Sequence, residues 1–298
     1  MPPERETNGA HTRFVAVRTY LDGLSFDAAW KNWLYEFLLF GFKQGWACLF
    51  GGLILALLLA THFFYPESSP IARYDFLVVA CLIVQAGMLI FRLETWSEAK
   101  VILAFHVVGT LMEVFKTQMG SWTYAEHSLL RIGGVPLFSG FMYASVGSYL
   151  ARVWRIFDFR FTHYPPLWVT IGLAAAIYLN FFTHHFIWDL RILFFAATAA
   201  IFLKTAIYFR PHRQDRRMPL LLGFFLVATF IWFAENIATF AHAWVYPHQS
   251  AHWSGVRFGK LGAWYLLMII SFVLVSLVQR PRAPAAIQVE KRVAEMAD

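Results

Sequence analysis

The chain has 298 residues, of which 59% are hydrophobic and only 14% are charged, and its formal net charge is +7. A soluble globular chain is about one quarter charged, so this composition excludes an ordinary soluble domain and indicates a membrane protein. Basic residues at the ends of membrane helices account for the positive charge, and no nucleic-acid partner is predicted. Cys48 and Cys81 lie in apolar runs, where a packed thiol is more common than a disulfide.

Residues 1–44 precede the first long apolar run and are predicted to be a cytoplasmic segment. They carry charges in place of the short apolar core of a cleavable signal peptide, so we expect the first membrane helix to stay as a signal-anchor. Within this segment, residues 24–43 combine Trp30, Trp33 and Phe37 with charged side chains. That pattern predicts a helix lying in the membrane interface.

Eight apolar segments follow and predict an all-α bundle of transmembrane helices, a multi-pass protein of a bacterial inner membrane. With both termini in the cytoplasm, nineteen of the 25 Lys and Arg residues fall on the cytoplasmic side, as the positive-inside rule requires. The transmembrane domain is predicted over 45–280 and a cytoplasmic tail over 281–298. The eight segments cover residues 45–62, 76–91, 101–116, 134–151, 167–183, 189–209, 219–240 and 261–279.

The stretch EVFKTQMGSWTY from Glu113 is matched by ENIATFAHAWVY from Glu235, 122 residues further on. These matches predict two parallel four-helix repeats, over about 45–152 and 167–280, related by an axis along the membrane normal. The alternative is that Trp and Tyr recur at each outer boundary as an aromatic belt. The residue pairs at this separation are Glu113/Glu235, Thr117/Thr239, Trp122/Trp244, Tyr124/Tyr246, Thr61/Thr183 and His62/His184.

Two carboxylates lie in predicted membrane helices at matching positions. A charged side chain at the centre of a span costs roughly 2.5–3.5 kcal/mol, so Glu113 and Glu235 are expected to face a cavity between the repeats, in the outer half of the membrane. The alternative for Glu113 is a structural ion pair with Lys116 or Arg131. The predicted catalytic residues are Glu113, Glu235, His184 and His62, and the predicted substrate-binding residues are Trp122, Tyr124, Trp244, Tyr246 and Asn236.

Convergence of two Glu and two His side chains would suit a divalent metal. No HxxxH or HxxE pattern lies within a predicted span, and the His248/His252 pair falls in a predicted loop. No metal site is therefore predicted, and the sequence names no cofactor.

The stretches RIGGVPLFSGFMYASVGSY, RLETW, NFFTHH and WFAEN resemble an uncharacterised bacterial family of multi-pass membrane proteins, defined only as a domain of unknown function. The resemblance covers nearly the whole chain beyond the first thirty residues and implies no activity. Residues 113–136 are also similar to a pattern of membrane carotenoid hydratases and lycopene cyclases, which implies acid chemistry on a polyene lipid. Trp122 replaces the first aromatic residue of that pattern, and its Pro-Phe-Gly step is missing. The pattern rests on Glu113, Gly120-x-Trp122-x-Tyr124 and Gly134-Val135-Pro136.

Two classes of function fit these residues. In the first, an enzyme uses Glu113 and Glu235 as acid and base in an apolar pocket to protonate, hydrate or isomerise an isoprenoid-like lipid. In the second, a transporter binds a cation, a proton or a small solute at the repeat interface. Lys116 lies near Glu113 where Ala238 lies near Glu235, and this inequality favours the enzyme. Membrane lipids are the predicted partners.

Overall fold

The computed structural model describes residue 26 and residues 28–284, and this part of the chain is mainly helical. Most of the predicted tail over 281–298 lies outside the described residues. The α-helices are α1 Ala29–Ala47, α2 Leu49–Phe64, α3 Arg73–Ile90, α4 Trp96–Gln118, α5 Phe138–Ile156, α6 Leu167–Thr183, α7 Arg191–Phe202, α8 Leu220–Phe240 and α9 Gly259–Gln279. The strands are β1 Arg131–Ile132, β2 Val135–Pro136, β3 Arg160–Thr162, β4 Ala206–Phe209 and β5 Arg216–Pro219.

Three helices, α3, α8 and α9, are long and apolar enough to cross a membrane. Helices α1 and α2 form a fourth candidate, a pair bent by 66° at Cys48. Helices α6 and α7 are apolar but have only 17 and 12 residues, and α4 carries Glu98, Lys100, Glu113 and Lys116. The prediction of a helical membrane protein is therefore confirmed in its coarse form, while the count of eight spans stays a prediction.

The outward faces of the helices are apolar. Trp168 on α6 is 76% exposed, Ile192 on α7 82% and Phe230 on α8 66%. Large apolar side chains exposed on so many helices would be costly in water, whereas apolar lipid accepts them. The helices also satisfy their own backbone hydrogen bonds, as the lipid phase requires.

Helix α4 begins earlier than the sequence predicts. Thr95 Oγ1 accepts a hydrogen bond from the Glu98 backbone N–H at 3.3 Å, and Glu98 Oε2 accepts one from the Thr95 N–H at 2.7 Å. This capping box satisfies two backbone donors and starts the helix at Trp96. Glu113 therefore lies in the last third of a 23-residue helix.

The predicted sixth span, residues 189–209, is wrong in its second half. Helix α7 ends at Phe202, and Ala206–Phe209 form the central strand of an antiparallel sheet in the order β3-β4-β5. Tyr208 pairs with Arg160 on one side and with Arg217 on the other. The all-α prediction missed this sheet because an apolar run of this length satisfies a buried strand as well as a helix.

Helix packing follows a regular scheme. Helix α4 packs along α5, and α8 packs along α9. Helix α2 contacts α5 and α8, and α6 contacts α9 and α4. Helices α5 and α9 touch each other, so that α2, α4, α5, α6, α8 and α9 surround one central space.

The loops 65–72, 119–137, 184–190 and 241–258 lie together at one end of the bundle, which we call the carboxylate end. Asp75 at the start of α3 accepts hydrogen bonds from the backbone N–H groups of Leu129 and Leu130, both at 2.8 Å. Arg73 Nη2 donates to the Ala241 carbonyl oxygen at 2.6 Å. The opposite end, which holds β3, β4 and β5, is called the sheet end.

Candidate functional site

One cavity of about 1210 Å³ extends along the central space. Its lining begins at the sheet end with Phe40 and Phe209 and reaches Trp122 and Lys260 at the carboxylate end. Along α8 the lining includes residues from Leu220 to Ala238, a rise of roughly 27 Å at 1.5 Å per residue. Ligand pockets for compact small molecules are about 300–1,000 Å³, so this cavity suits a long ligand.

Glu113 lies at the carboxylate end of the cavity and is only 3% exposed. Its Oε2 accepts hydrogen bonds from Trp122 Nε1 and Tyr124 OH, both at 2.7 Å. Its Oε1 accepts one from Tyr143 OH on α5 at 2.6 Å. Three neutral aromatic donors therefore satisfy this buried carboxylate.

Glu235 is 4% exposed and lines the same end of the cavity. Its Oε1 accepts a hydrogen bond from Tyr246 OH. Its Oε2 accepts one from Trp264 Nε1 on α9 at 2.6 Å. The carboxylate thus has two aromatic donors, one from the loop that follows its helix and one from the helix after that loop.

A short backbone pairing joins the two carboxylate clusters. The Thr123 N–H donates to the Val245 carbonyl oxygen and the Val245 N–H donates to the Thr123 carbonyl oxygen, both at 2.9 Å. The pairing brings the Trp122 and Tyr246 rings to 6.0 Å between centroids. Lys260 Nζ lies over both rings, at 5.0 Å from the Trp122 centroid and 4.3 Å from that of Tyr246.

The two loop tyrosines are neutral donors. Burial, followed by the charge and the hydrogen bond of the adjacent glutamate, raises the pKa of Tyr124 and of Tyr246 well above the ordinary tyrosine value. Both phenols therefore keep their protons and can only stabilise the carboxylates as donors.

Lys116 does not pair with Glu113. Its Nζ contacts His184 Nε2 at 3.2 Å and His185 Nε2 at 3.0 Å. Arg131 donates to Ser128 and to the Glu126 carbonyl oxygen. In the described part of the chain no ion pair joins Glu113 to either base, so the alternative of a structural ion pair is wrong.

The structure brings six of the predicted site residues to the cavity wall and leaves three outside it. Asn236 donates to the Trp232 carbonyl oxygen at 2.8 Å and accepts from the Val256 N–H at 2.9 Å, which is a structural arrangement. The His62 ring lies 5.1 Å from that of His242. The residues on the wall are Glu113, Glu235, His184, Trp122, Trp244 and Tyr246, and those outside its lining are His62, Tyr124 and Asn236.

Sequence reasoning missed Tyr143, Trp264, Lys260 and His185. Tyr143 and Trp264 follow their glutamates by 30 and 29 residues, so a comparison at one fixed separation cannot align them. Aromatic residues are abundant in this chain, and only packing of α5 against α4 and of α9 against α8 selects these two as donors.

The fold and this cavity define a class: a helical membrane protein with a deep apolar cavity that ends at two buried carboxylates. The chain belongs to the family described as "Protein of unknown function (DUF817)", whose model matches residues 36–272. It is similar to the "Uncharacterized protein YoaT" of Bacillus subtilis (strain 168), with 43% identity over 251 residues, which are 84% of this chain and 94% of that protein. No solved structure matches the chain.

Proposed function

We propose that all eight apolar helices, α2 to α9, cross the membrane as two parallel repeats with both termini in the cytoplasm. The helix contacts support this because they occur in matching pairs: α2–α5 with α6–α9, and α2–α8 with α6–α4. In both halves the tyrosine follows its glutamate by 11 residues. The pairing of Thr123 with Val245 relates two residues that are themselves 122 positions apart, as expected of a local two-fold axis.

The proposed activity is acid–base chemistry on a long apolar, isoprenoid-like lipid. One observation carries this proposal: a single, mainly apolar cavity as long as a membrane helix ends at Glu113 and Glu235 together. A lipid chain fits the apolar part, and its reactive end then lies at the two carboxyl groups. Substrate-sized apolar cavities with few convergent polar groups are the usual form of such sites.

The two carboxyl groups suit opposite roles. A carboxylate has about four acceptor positions; Glu113 uses three of them within the protein and Glu235 uses two. Glu235 therefore keeps more capacity to accept a proton from the lipid. A carboxylic acid that gives a proton to one carbon of a double bond, and a carboxylate that removes one from a neighbouring carbon, together move that double bond.

The aromatic donors have a second role in this reaction. Protonation of an alkene generates a carbocation, which the negative face of an aromatic ring stabilises. Lys260 already lies over Trp122 and Tyr246, so Tyr143 and Trp264 are the rings that can serve this purpose. Each of these rings lines the cavity. The same rings that hold the carboxylates therefore stabilise the intermediate.

Lipid analysis tests the proposal. A deletion strain is complemented with the native protein, with Glu235→Gln or with Glu67→Gln, and its isoprenoid lipids are compared by mass spectrometry. Glu235→Gln preserves shape but removes the proton acceptor, so we expect it to restore nothing while the protein level stays normal. Glu67 is exposed in a loop at the same end, so Glu67→Gln is the matched control. Full complementation by Glu235→Gln contradicts the proposal.

A transporter is the second candidate, and the matched helix contacts favour it. Two similar halves around a central space are the architecture in which one half rocks against the other. The same strains separate the two functions. An enzyme changes the chemical structure of a lipid, whereas a transporter leaves all lipid species in place and changes only the distribution of its ligand across the membrane.

A further inference from the structure

Cationic side chains gather where the cavity reaches the carboxylate end. Four of them lie on its wall: Lys116, Arg191, Arg257 and Lys260. The positive charges of Lys116, Arg191 and Lys260 lie close enough to interact with one another. Such a concentration is unexpected beside an apolar chain, and the buried Lys116 in particular requires a compensating anion.

Lys116 is the clearest member of this group. The residue is 5% exposed, and its contacts among the described residues are the rings of His184, His185 and Phe181, none of which is an anion. His184 Nδ1 lies 2.8 Å from the Asn180 carbonyl oxygen, so the proton is on Nδ1 and the bare Nε2 accepts from Lys116. An ammonium has three donors, and two histidines occupy only two of them.

The other cations are only partly compensated. Arg191 pairs with Asp189 at 2.5 Å, but no ion pair to Lys116, Arg257 or Lys260 occurs among the described residues. The carboxylates of Glu113 and Glu235 lie near enough to attract the Lys260 ammonium, but their hydrogen bonds come from aromatic donors. The rim therefore carries unpaired positive charge, with a free ammonium N–H on Lys116 and a guanidinium on Arg257.

We infer that this rim binds the phosphate of a phosphorylated lipid whose hydrocarbon chain occupies the apolar cavity. The inference rests on the proposed lipid-binding function and names the class of lipid. A phosphate ester carries up to two negative charges and three acceptor oxygens, which match a cluster of ammonium and guanidinium groups better than a hydroxyl or a neutral head does. Arginine and lysine are the usual partners of phosphate.

The test uses the full chain, purified in detergent micelles, and three probes: farnesyl phosphate, farnesol and inorganic phosphate. Thermal stability and tryptophan fluorescence titrations report binding, because a ligand of the folded state raises its stability. We expect farnesyl phosphate to bind roughly tenfold or more tightly than farnesol, since hydrogen bonds to charged groups are the strong ones. Inorganic phosphate, which lacks a chain, should bind much more weakly than either lipid.

Three variants locate the phosphate. Lys116→Gln and Arg257→Gln should each lower the affinity for farnesyl phosphate about tenfold while farnesol binding changes less than about twofold. Arg257 is exposed in a loop, so its variant keeps the fold even if Lys116→Gln is unstable. Lys100 is exposed near the other end of the same helix as Lys116, and Lys100→Gln is the control that should leave both affinities unchanged.

The outcomes separate this inference from the proposed function. Equal affinity for farnesyl phosphate and farnesol overturns the phosphate site and leaves the lipid cavity standing. Inorganic phosphate that binds as tightly as farnesyl phosphate shows a site for a soluble anion and also overturns the inference. Failure of both lipids to bind overturns the lipid-binding function itself, and the phosphate inference with it.

Discussion

The two carboxylate clusters differ in ways that their shared plan makes easy to see. Each contains a glutamate near the end of a helix and a tyrosine that donates from the following loop. Glu113 receives its remaining bonds from Trp122 and Tyr143, whereas Trp264 alone completes the set around Glu235. The shared parts hold a carboxylate in an apolar bundle, and the differing parts give the two carboxylates unequal capacity for a ligand.

Positively charged neighbours extend the contrast. Lys116 follows Glu113 by one helical turn, and the corresponding residue in the other half is Ala238. Lys116 contacts His184 and His185 of the second half. Ala238 can make no equivalent contact to the first half. The comparison teaches that one cluster is more completely satisfied and the other more open.

Removing each carboxylate should have the largest effect. Glu113→Ala leaves three buried donors without an acceptor and Glu235→Ala leaves two, and each such donor costs about 1–3 kcal/mol. We therefore expect Glu113→Ala to lower the free energy of unfolding by roughly 3–9 kcal/mol and Glu235→Ala by roughly 2–6 kcal/mol. Thermal unfolding of both variants in the same detergent measures the difference. A greater loss for Glu235→Ala would reverse the comparison.

Removing one hydrogen bond from each cluster sharpens the comparison between the Glu113 and Glu235 clusters. Tyr124→Phe and Tyr246→Phe keep their rings and remove equivalent hydroxyl groups, at a cost of about 1–2 kcal/mol each. Glu113 then retains two donors that fix its position and Glu235 only one, so Glu235 loses its orientation, and activity and ligand affinity should suffer more from Tyr246→Phe. Thermal unfolding measures the stability cost of each variant, and lipid complementation measures the difference in activity. Equal functional loss in the two variants would mean that the clusters act alike.

Lys260 tests the contact between the clusters. Its ammonium lies over the Trp122 and Tyr246 rings, and cation–π contacts contribute about 0.5–2 kcal/mol each depending on burial. Lys260→Met keeps most of the side-chain volume and should lower the unfolding temperature modestly. Lys260→Arg, which preserves the cation, should recover most of that loss. If both variants behave alike, the charge contributes nothing there.

The smallest expected effect is a pH dependence from the histidines beside Lys116. Burial, followed by the charge of Lys116, lowers the pKa of His185. Burial also lowers the pKa of His184, although the hydrogen bond to the Asn180 carbonyl oxygen acts in the opposite direction. The folded state thus binds fewer protons than the unfolded state, whose histidines titrate near about 6.5. Stability should therefore fall as the pH drops below about 6.5 and level off below the folded pKa values.

A double variant, His184→Gln with His185→Gln, isolates this contribution. The difference in unfolding temperature between pH 7.5 and pH 5.5, about one unit on either side of the unfolded value, should shrink relative to the native protein. An unchanged pH dependence in the double variant would assign the effect to other groups.

Local features of the site followed from the sequence, and the features that depend on packing did not. Glu113 and Glu235 stood out because a carboxylate in an apolar run needs a reason, and the recurring Trp and Tyr marked the loops that supply their donors. Tyr143 and Trp264 were missed because their roles depend on how α5 and α9 lie against α4 and α8. The alternative prediction, an ion pair between Glu113 and Lys116, was wrong because the Lys116 side chain contacts His184 on the other half of the bundle.

The fold shows the same division. Hydrophobic runs located the helices, because burial and lipid contact both demand apolar side chains. They did not distinguish helix from strand at Ala206–Phe209, where pairing with β3 and β5 supplies the backbone hydrogen bonds. Nor did they predict that α1, expected from the sequence to be interfacial, continues to Ala47 and then turns into α2.

If the cavity holds a lipid chain as proposed, the turn between α1 and α2 limits the length of that chain. Because α1 and α2 meet at a 66° bend, Phe40, Gly41 and Gln44 of α1 form part of the cavity wall at the sheet end. There Phe40 packs against Phe157 and Phe209. For the proposed lipid, the distance from this end of the cavity to Glu235 would set how many carbons fit before the reactive end passes the carboxylates. A Cβ added at Gly41 would meet no neighbouring atom within 4 Å, so under the proposed function a larger residue at this position should shorten the longest lipid accepted and leave the carboxylates undisturbed.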